Sequence, residues 1–410
     1  MLSEISVSGY KSLQNSAVRL SPLTVIVGRN NTGKSNLFDA LHLLSHLAGM
    51  PVASAFKPEL HRGDPVESFF SEQIPLLRIK CELDLRRAPH PFDSTDFLTH
   101  PFLCYEIEIS FRDGRLQIES ESLTGKSKEN RNPRKFIGPG RDGKSLVSLH
   151  RDQAAGGKAR QFPLPTTRSV LHMIDDAEHY PHVVALARSL SSWRFFHFEP
   201  DVLREPSPAM NILELEPNGW GLSGFYDTLE HSDPARFQSA ERALRRGIPE
   251  ARKIKVLDTG DRRRLLAIER DDGREFVARV LSDGTLRFLA LLALAYSPLP
   301  PGLICFEEPE NGVHPGRLMF IVDLLRGMSE RGAEEGDRSQ VIVNSHSPYL
   351  VDLLSPPEMR IASLNGRGQT HFTSVEDDLF SSKPALKRIL ESGEQTLGEL
   401  WSQGSLDAIA

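Results

Sequence analysis

Hydrophobic and polar positions follow three rhythms along this chain. Leu2 to Leu20 alternates around a Gly9-Tyr10-Lys11-Ser12 turn, predicting a pair of strands. Leu23, Val25, Ile26 and Val27 form a compact, β-branched-rich run, the pattern of a strand covered on both faces. From Asn36 to Leu47 the rhythm changes to helical spacing, with Leu37, Ala40, Leu41 and Leu44 on one side. Alternation returns at Leu76 to Leu85, and Cys104 to Phe111 and Leu116 to Ser122 flank an Asp113-Gly114 turn as a hairpin. These strands predict an antiparallel layer.

Pro51 to Pro75, and Lys126 to about Pro165, show no period and are expected to be loops. Helices are predicted over Val170 to Leu190, Leu222 to Leu229 and Pro234 to Arg246. A buried strand is predicted at Trp193 to Phe198, and Glu199 to Pro208 is broken by proline. Lys253 to Asp258 and Arg264 to Ile268 read as strands, with a further hairpin turning at Asp272-Gly273 into Glu275 to Val280. Phe288 to Tyr296 is an apolar helix. Two buried strands follow, at Leu303 to Phe306 and Val341 to Val343, then strands at Arg360 to Leu364 and Thr370 to Val375, and a terminal helix or two. There is no internal repeat and no sustained heptad.

Composition narrows this little. A chain of 410 residues has room for two or three domains, or for one with a large insertion. A net charge of −6 gives no whole-molecule attraction to nucleic acid, so any such contact must be local. Cys81, Cys104 and Cys305 lie far apart, which argues against a disulfide framework or a zinc site. The first residues lack the basic and apolar regions of a signal peptide, and Phe288 to Tyr296 is too short to span a bilayer. The expectation is a cytoplasmic protein without a membrane partner.

The chemistry sits where the rhythms change. Between the buried strand and the helix lies Gly28-Arg29-Asn30-Asn31-Thr32-Gly33-Lys34-Ser35, a complete G-x-x-x-x-G-K-[ST]. Glycines let backbone N–H groups curl around phosphate oxygens, and the helix N-terminus adds partial positive charge. Lys34 is placed to reach the β/γ-phosphates and the Ser35 hydroxyl to ligate Mg²⁺. Asn30, Asn31, Thr32 and Asn36 complete the nucleotide-binding set. The bland alternative, a glycine turn between core elements, does not explain both correct flanks.

Three later stretches refine the reading. Leu281-Ser282-Asp283-Gly284-Thr285 leads into a helix that Ser282 or Asp283 can cap, with Gly284 leaving the backbone bare for an anion; alone, this is also an ordinary capped start. Leu303-Ile304-Cys305-Phe306-Glu307-Glu308-Pro309 is a buried strand ending in two carboxylates that point to opposite faces. Glu307 is assigned to the metal shell and Glu308 to orienting or deprotonating the attacking water. Val341 to Asn344 runs into Ser345-His346-Ser347-Pro348, placing His346 where it can sense the terminal phosphate.

GRNNTGKS, LSDGTLR, FEEPENGVHP and NSHSPYL, in this order, resemble the ABC-type ATPases of the SMC/RecF/OLD group, whose short bacterial members are known as AAA family ATPases. The opening SVSGYKSL resembles that group's first strand pair. The resemblance implies an α/β P-loop head with a mixed or parallel core sheet, an antiparallel β layer and a helical insertion. It divides the chain into an N-terminal half of the core (1–50), an insertion (51–260) and a C-terminal half (261–410). It further implies that ATP dimerises two heads. Gly28, Gly33, Lys34 and Ser35 then hold ATP-Mg²⁺, Ser282 and Gly284 act on the other copy's nucleotide, Glu308 is the catalytic glutamate and His346 the switch histidine.

Three features depart from the group's pattern. Glu307 stands where many relatives have Asp, the signature reads S-D-G rather than S-G-G, and neither Gln73 nor Gln153 can be assigned as the Q-loop glutamine. The middle lacks the heptads of an SMC arm, and the stretch after His346 is too short for a Toprim nuclease. Glu376-Asp377-Asp378 reads as a solvated turn.

The expected activity is Mg-dependent ATP hydrolysis, coupled to DNA repair or recombination or to defence against phage. The alternative is a nucleotide-gated switch with little turnover that regulates a separately encoded effector; a P-loop kinase would need neither the signature helix nor the strand-end histidine. Lys126, Lys128, Arg131, Arg134 and Lys135, and Arg262 to Arg264, can contact DNA phosphates. Short charge runs are equally the mark of solvated surface, and DNA stays open as a partner.

Overall fold

The computed structural model describes residues 1–60, 63–70, 75–87, 98–127, 133–143, 145–152, 159–330 and 339–406. Its centre is a six-stranded sheet in the order Arg194–Phe196, Leu303–Glu307, Gln340–Ser345, Leu23–Val27, Met359–Leu364, Thr370–Ser374. The first five strands are parallel and the last is antiparallel. Parallel strands need cover on both faces, and this sheet has it. Ile26, Cys305 and Ile342 pack with Leu37, Leu41 and Leu44 of the helix Lys34–Gly49. On the other face, Val25, Phe306 and Val343 share a core with the helices Asp283–Ala295 and Leu318–Glu330.

The predicted antiparallel layer is present and larger than its sequence signal. Eight strands run in the order Ser16–Arg19, Leu2–Ser8, Leu76–Asp84, Phe102–Arg112, Arg115–Lys126, Arg134–Pro139, Leu146–Leu149, Arg160–Pro163. The Asp113-Gly114 turn joins its longest pair, with both residues at positive φ as the turn requires. The last three strands correct the expectation of an irregular stretch from Lys126 to Pro165. They are short and flanked by Arg, Lys and Pro, but the first two bury their own Phe136, Ile137, Val147 and Leu149. The loop expected from Pro51 to Pro75 contains a helical turn, Val52–Ala55, and a 3₁₀ turn, Val66–Phe69, that bury Phe56 and Phe69.

A third sheet has Arg263–Arg270 at its hub, paired with Ser207–Pro208, Ala251–Asp258 and Glu275–Val277. Helices Leu222–Ser232 and Pro234–Gly247 back it in the same core. Among the described residues, no helix is long and apolar enough to cross a membrane.

Candidate functional site

Parallel pairing brings the chemistry to one edge. Glu307 is in register with Asn344, Asn344 with Ile26, and Ser345 with Val27, so the strand carrying the carboxylates, the strand carrying the histidine and the strand feeding the glycine loop all end together. Ligands of parallel α/β sheets bind at this carboxyl end.

The loop leaves Val27 and enters the helix Lys34–Gly49 through Gly33, whose φ of +91° is a left-handed conformation open to glycine at little cost. Gly28 is confined differently: a β-carbon there would stand 2.5 Å from the Ala362 carbonyl oxygen. Thr32 stiffens the loop by donating its hydroxyl to the Arg29 carbonyl at 2.8 Å, and Asn31 sits at φ +64°. Arg29, Asn30 and Asn31 are exposed, while Thr32 and Lys34 are buried. Ser35 and Asn36 are half-buried on the first helical turn, where N–H groups lack intrahelical acceptors. Asn36 turns its amide away from the loop mouth, donating to Ser12 Oγ at 2.8 Å.

Lys34 Nζ donates to the carbonyl oxygens of Gly28 (2.7 Å) and Arg29 (2.9 Å). Burial lowers its pKa, while the carboxylates of Glu308 and Glu310 oppose that shift. The ammonium is thus held by neutral carbonyls that an anionic phosphate would outcompete.

The two carboxylates have different surroundings, because Glu307 ends its strand and Glu308 lies just beyond it. Glu307 faces the first turns of the Lys34–Gly49 helix, in a cleft of about 480 Å³ lined also by Phe38, Asp39, His42 and His197. His197 Nδ1 lies 3.6 Å from Glu307 Oε2. Glu308 follows at φ +46°, an unusual conformation for a side-chain-bearing residue. Its N–H is shared between the backbone and side-chain oxygens of Asn344, each at 3.1 Å. Its Oε1 lies 3.0 Å from His346 Nδ1, and both side chains are partly open to solvent. The two residues singled out for water activation and phosphate sensing therefore touch.

Glu310, quoted in the motif but given no role, belongs here too. It is 8% exposed, accepts the Ser345 hydroxyl on Oε1, and has no partner for Oε2 among the described residues. Burial raises its pKa, and neighbouring Glu308 adds to the rise. Asn344 and Ser345 read in the sequence only as strand-end polar groups; their targets are set by the sheet register.

Ser282 caps its helix, accepting the Thr285 N–H at 3.3 Å. Gly284 is buried against the chain's own backbone, where a β-carbon would stand 2.4 Å from the Gly312 carbonyl oxygen. Its bareness thus serves an internal contact as well as any anion. Asp283 pairs with Arg204, and Arg287 Nη1 donates to Asn311 O at 2.6 Å. These partners lie on other elements than the loop Gly28–Ser35; Ser282 and Asp283 themselves are exposed, while Gly284 and Arg287 meet the loop that follows Glu307 and Glu308.

Gln73, Gln153, Lys128 and Arg131 lie outside the described residues. Arg134 is used internally, donating to Arg151 O and Asp152 O, and Arg264 pairs with Asp227 and Asp258. Arg262 and Arg263 are exposed.

A glycine loop on a parallel sheet, a carboxylate pair and a histidine on neighbouring strand ends, and a separate capped signature helix define a P-loop ATPase head of the ABC type. The chain belongs to the family described as "AAA domain, putative AbiEii toxin, Type IV TA system", whose model matches residues 23–352. In fold it is similar to an SmcHead solved bound to the C-winged helix domain of ScpA (14% identity, 93% of this chain and 99% of that one covered, TM-score 0.57). It is also similar to an Smc head with an extended coiled coil bound to the C-terminal domain of ScpA derived from Pyrococcus furiosus (13% identity, 95% and 99% covered, TM-score 0.55). No curated protein matches the sequence. The resemblance read from four short motifs therefore holds for family and fold.

Proposed function

We propose that this protein is a Mg-dependent ATP hydrolase whose heads pair on binding ATP. The Glu308–His346 contact, on adjacent strand ends beside Lys34, carries the reading. Glu308 is the group that takes up or orients the proton of the attacking water; His346 holds its carboxylate and meets the terminal phosphate. Lys34 leaves the loop carbonyls for the β/γ-phosphates, and the first-turn N–H groups supply the remaining cradle.

The donor set suits Mg²⁺, with the Ser35 hydroxyl and the Glu307 carboxylate on the same helix-covered side of the sheet. Held there by Ser35 and Glu307, Mg²⁺ would supply charge neutralisation for the phosphate oxygens. The exposure of Ser282 and Asp283 supports a site completed by a second copy, whose Ser282 and Gly284 would meet this copy's nucleotide. That solved SMC heads are described as bound to ScpA domains supports work done through a partner protein; DNA is the other candidate for what the cycle moves.

Steady-state ATPase activity tests the reading. Lys34→Ala should lose turnover and nucleotide binding. Glu308→Gln should keep ATP and accumulate as a dimer by light scattering. A Glu308→Gln protein that stays monomeric in saturating ATP overturns the two-copy site, and a wild-type protein that binds ATP without turnover overturns hydrolysis.

A further inference from the structure

We infer that Ser12 and Thr370 are positioning residues that hold the phosphate loop in its binding-competent shape; this rests on the nucleotide-site reading above. Thr370, buried to 3% exposure, begins the edge strand of the central sheet. Its N–H bonds to Ser12 O at 2.8 Å, and its carbonyl accepts the Ser16 hydroxyl at 2.6 Å. That strand edge is thereby fastened to the first strand pair of the antiparallel layer.

The side chains complete a directed relay. Thr370 Oγ1 donates to the Thr32 carbonyl at 2.9 Å. A hydroxyl has one proton, so the 2.6 Å contact between Ser12 Oγ and Thr370 Oγ1 runs from Ser12 to Thr370. Ser12 in turn accepts from Asn36 Nδ2 at 2.8 Å. The order Asn36, Ser12, Thr370, Thr32 leaves no hydroxyl proton idle.

The last bond matters most. In a planar trans peptide, C=O and N–H point in opposite directions. Fixing the Thr32 carbonyl outward on Thr370 therefore turns the Gly33 N–H toward the opposite side, the inside of the loop. The relay also occupies the place of a side chain at Gly33: a β-carbon would stand 2.0 Å from Thr370 Oγ1 and 2.6 Å from Ser12 Oγ. The second glycine of the motif is demanded by the brace as much as by its φ. Two segments far from the loop in sequence thus aim one of its phosphate-facing N–H groups.

Thr370→Val removes the hydroxyl and keeps the shape, whereas Thr370→Ser keeps the hydroxyl. Binding of a fluorescent ATP analogue, followed by anisotropy, should weaken about tenfold in Thr370→Val and stay within about threefold of wild type in Thr370→Ser. In the nucleotide-free protein, deuterium uptake over residues 28–36 should speed up in Thr370→Val but not in Thr370→Ser. Unchanged affinity and uptake in Thr370→Val overturn the inference, as does a Thr370→Ser protein as impaired as Thr370→Val. Should wild-type protein bind no ATP, the nucleotide reading fails, and the uptake comparison alone decides the brace. If Thr370→Val does not fold, Thr370→Ala, which also removes the donor to the Thr32 carbonyl, carries the same expectations.

Discussion

Gly284, on the helix Asp283–Ala295, lies against the backbone of Gly312, in the loop that follows Glu307 and Glu308. A β-carbon at 284 would stand 2.4 Å from the Gly312 carbonyl oxygen and 3.1 Å from its carbon. Gly284→Ala must push the loop aside, because the obstacle is main chain. The expected cost is about 1–3 kcal/mol of stability in urea unfolding, accompanied by reduced ATP turnover. A variant with wild-type unfolding and turnover would show that the loop yields freely.

Glu308 at φ +46° gives a second expectation. A left-handed conformation costs a residue with a β-carbon about 1–2 kcal/mol, which glycine avoids. Glu308→Gly should therefore abolish turnover while exceeding Glu308→Ala in stability by about 1 kcal/mol. Equal unfolding midpoints for the two variants would mean that the backbone relaxes once the side chain is gone.

The Ser345–Glu310 pair is a third test. Ser345→Ala removes the donor to a buried carboxyl whose other oxygen has no partner among the described residues. The expected loss is roughly 1–3 kcal/mol. Adding Glu310→Leu should recover much of it, since removing both polar partners is less costly than stranding one. A double variant that simply sums two losses would contradict this account.

Away from the site, Glu121 sets a pH dependence. Fully buried in the antiparallel layer, it accepts the Tyr105 hydroxyl at 3.0 Å and the N–H groups of Val170 (2.7 Å) and Leu171 (3.3 Å). Burial raises its pKa to about 7 from an ordinary 4.5, more than these donors lower it. A folded-state pKa above the unfolded one means that the folded protein holds the extra proton. The associated stability is fully present below about pH 4.5 and is lost as pH rises through about 7, an effect on the order of 3 kcal/mol. Glu121→Gln should flatten that part of the unfolding free energy between pH 5 and 8. Glu310 carries the same sign, so some slope should persist. A Glu121→Gln slope identical to wild type would place the titration elsewhere.

The sequence made the local parts of this molecule readable. A run such as Leu23–Val27, an Asp-Gly turn, or Ser282 before an apolar helix carries its own cause within a few residues. The strands Arg134–Pro139, Leu146–Leu149 and Arg160–Pro163 do not. Each is short and polar-flanked, and takes its conformation from neighbours in an existing sheet. The same divide runs through the site. Lys34, Glu308 and His346 announced themselves by motif, whereas Glu310, Asn344, Ser12 and Thr370 act through partners that only the sheet register brings near. The apolar run Trp193 to Phe198 places His197 in a buried strand, but the strand ends at Phe196 and His197 is exposed beside Glu307, to which nothing in its immediate sequence points.

Strand order has a consequence for how the protein is made. Leu23–Val27 emerges from the ribosome long before its two neighbours in the sheet, Val341–Ser345 and Met359–Ile361. Until those later segments are synthesised, the strand feeding the glycine loop has neither edge paired and must wait. Contacts this distant in sequence form slowly, and an unpaired apolar strand is a place for wrong partners. The antiparallel strands from Leu76 to Lys126 need no such delay. On the nascent chain they can assemble first, giving the waiting strand a surface before its nucleotide-binding edge exists.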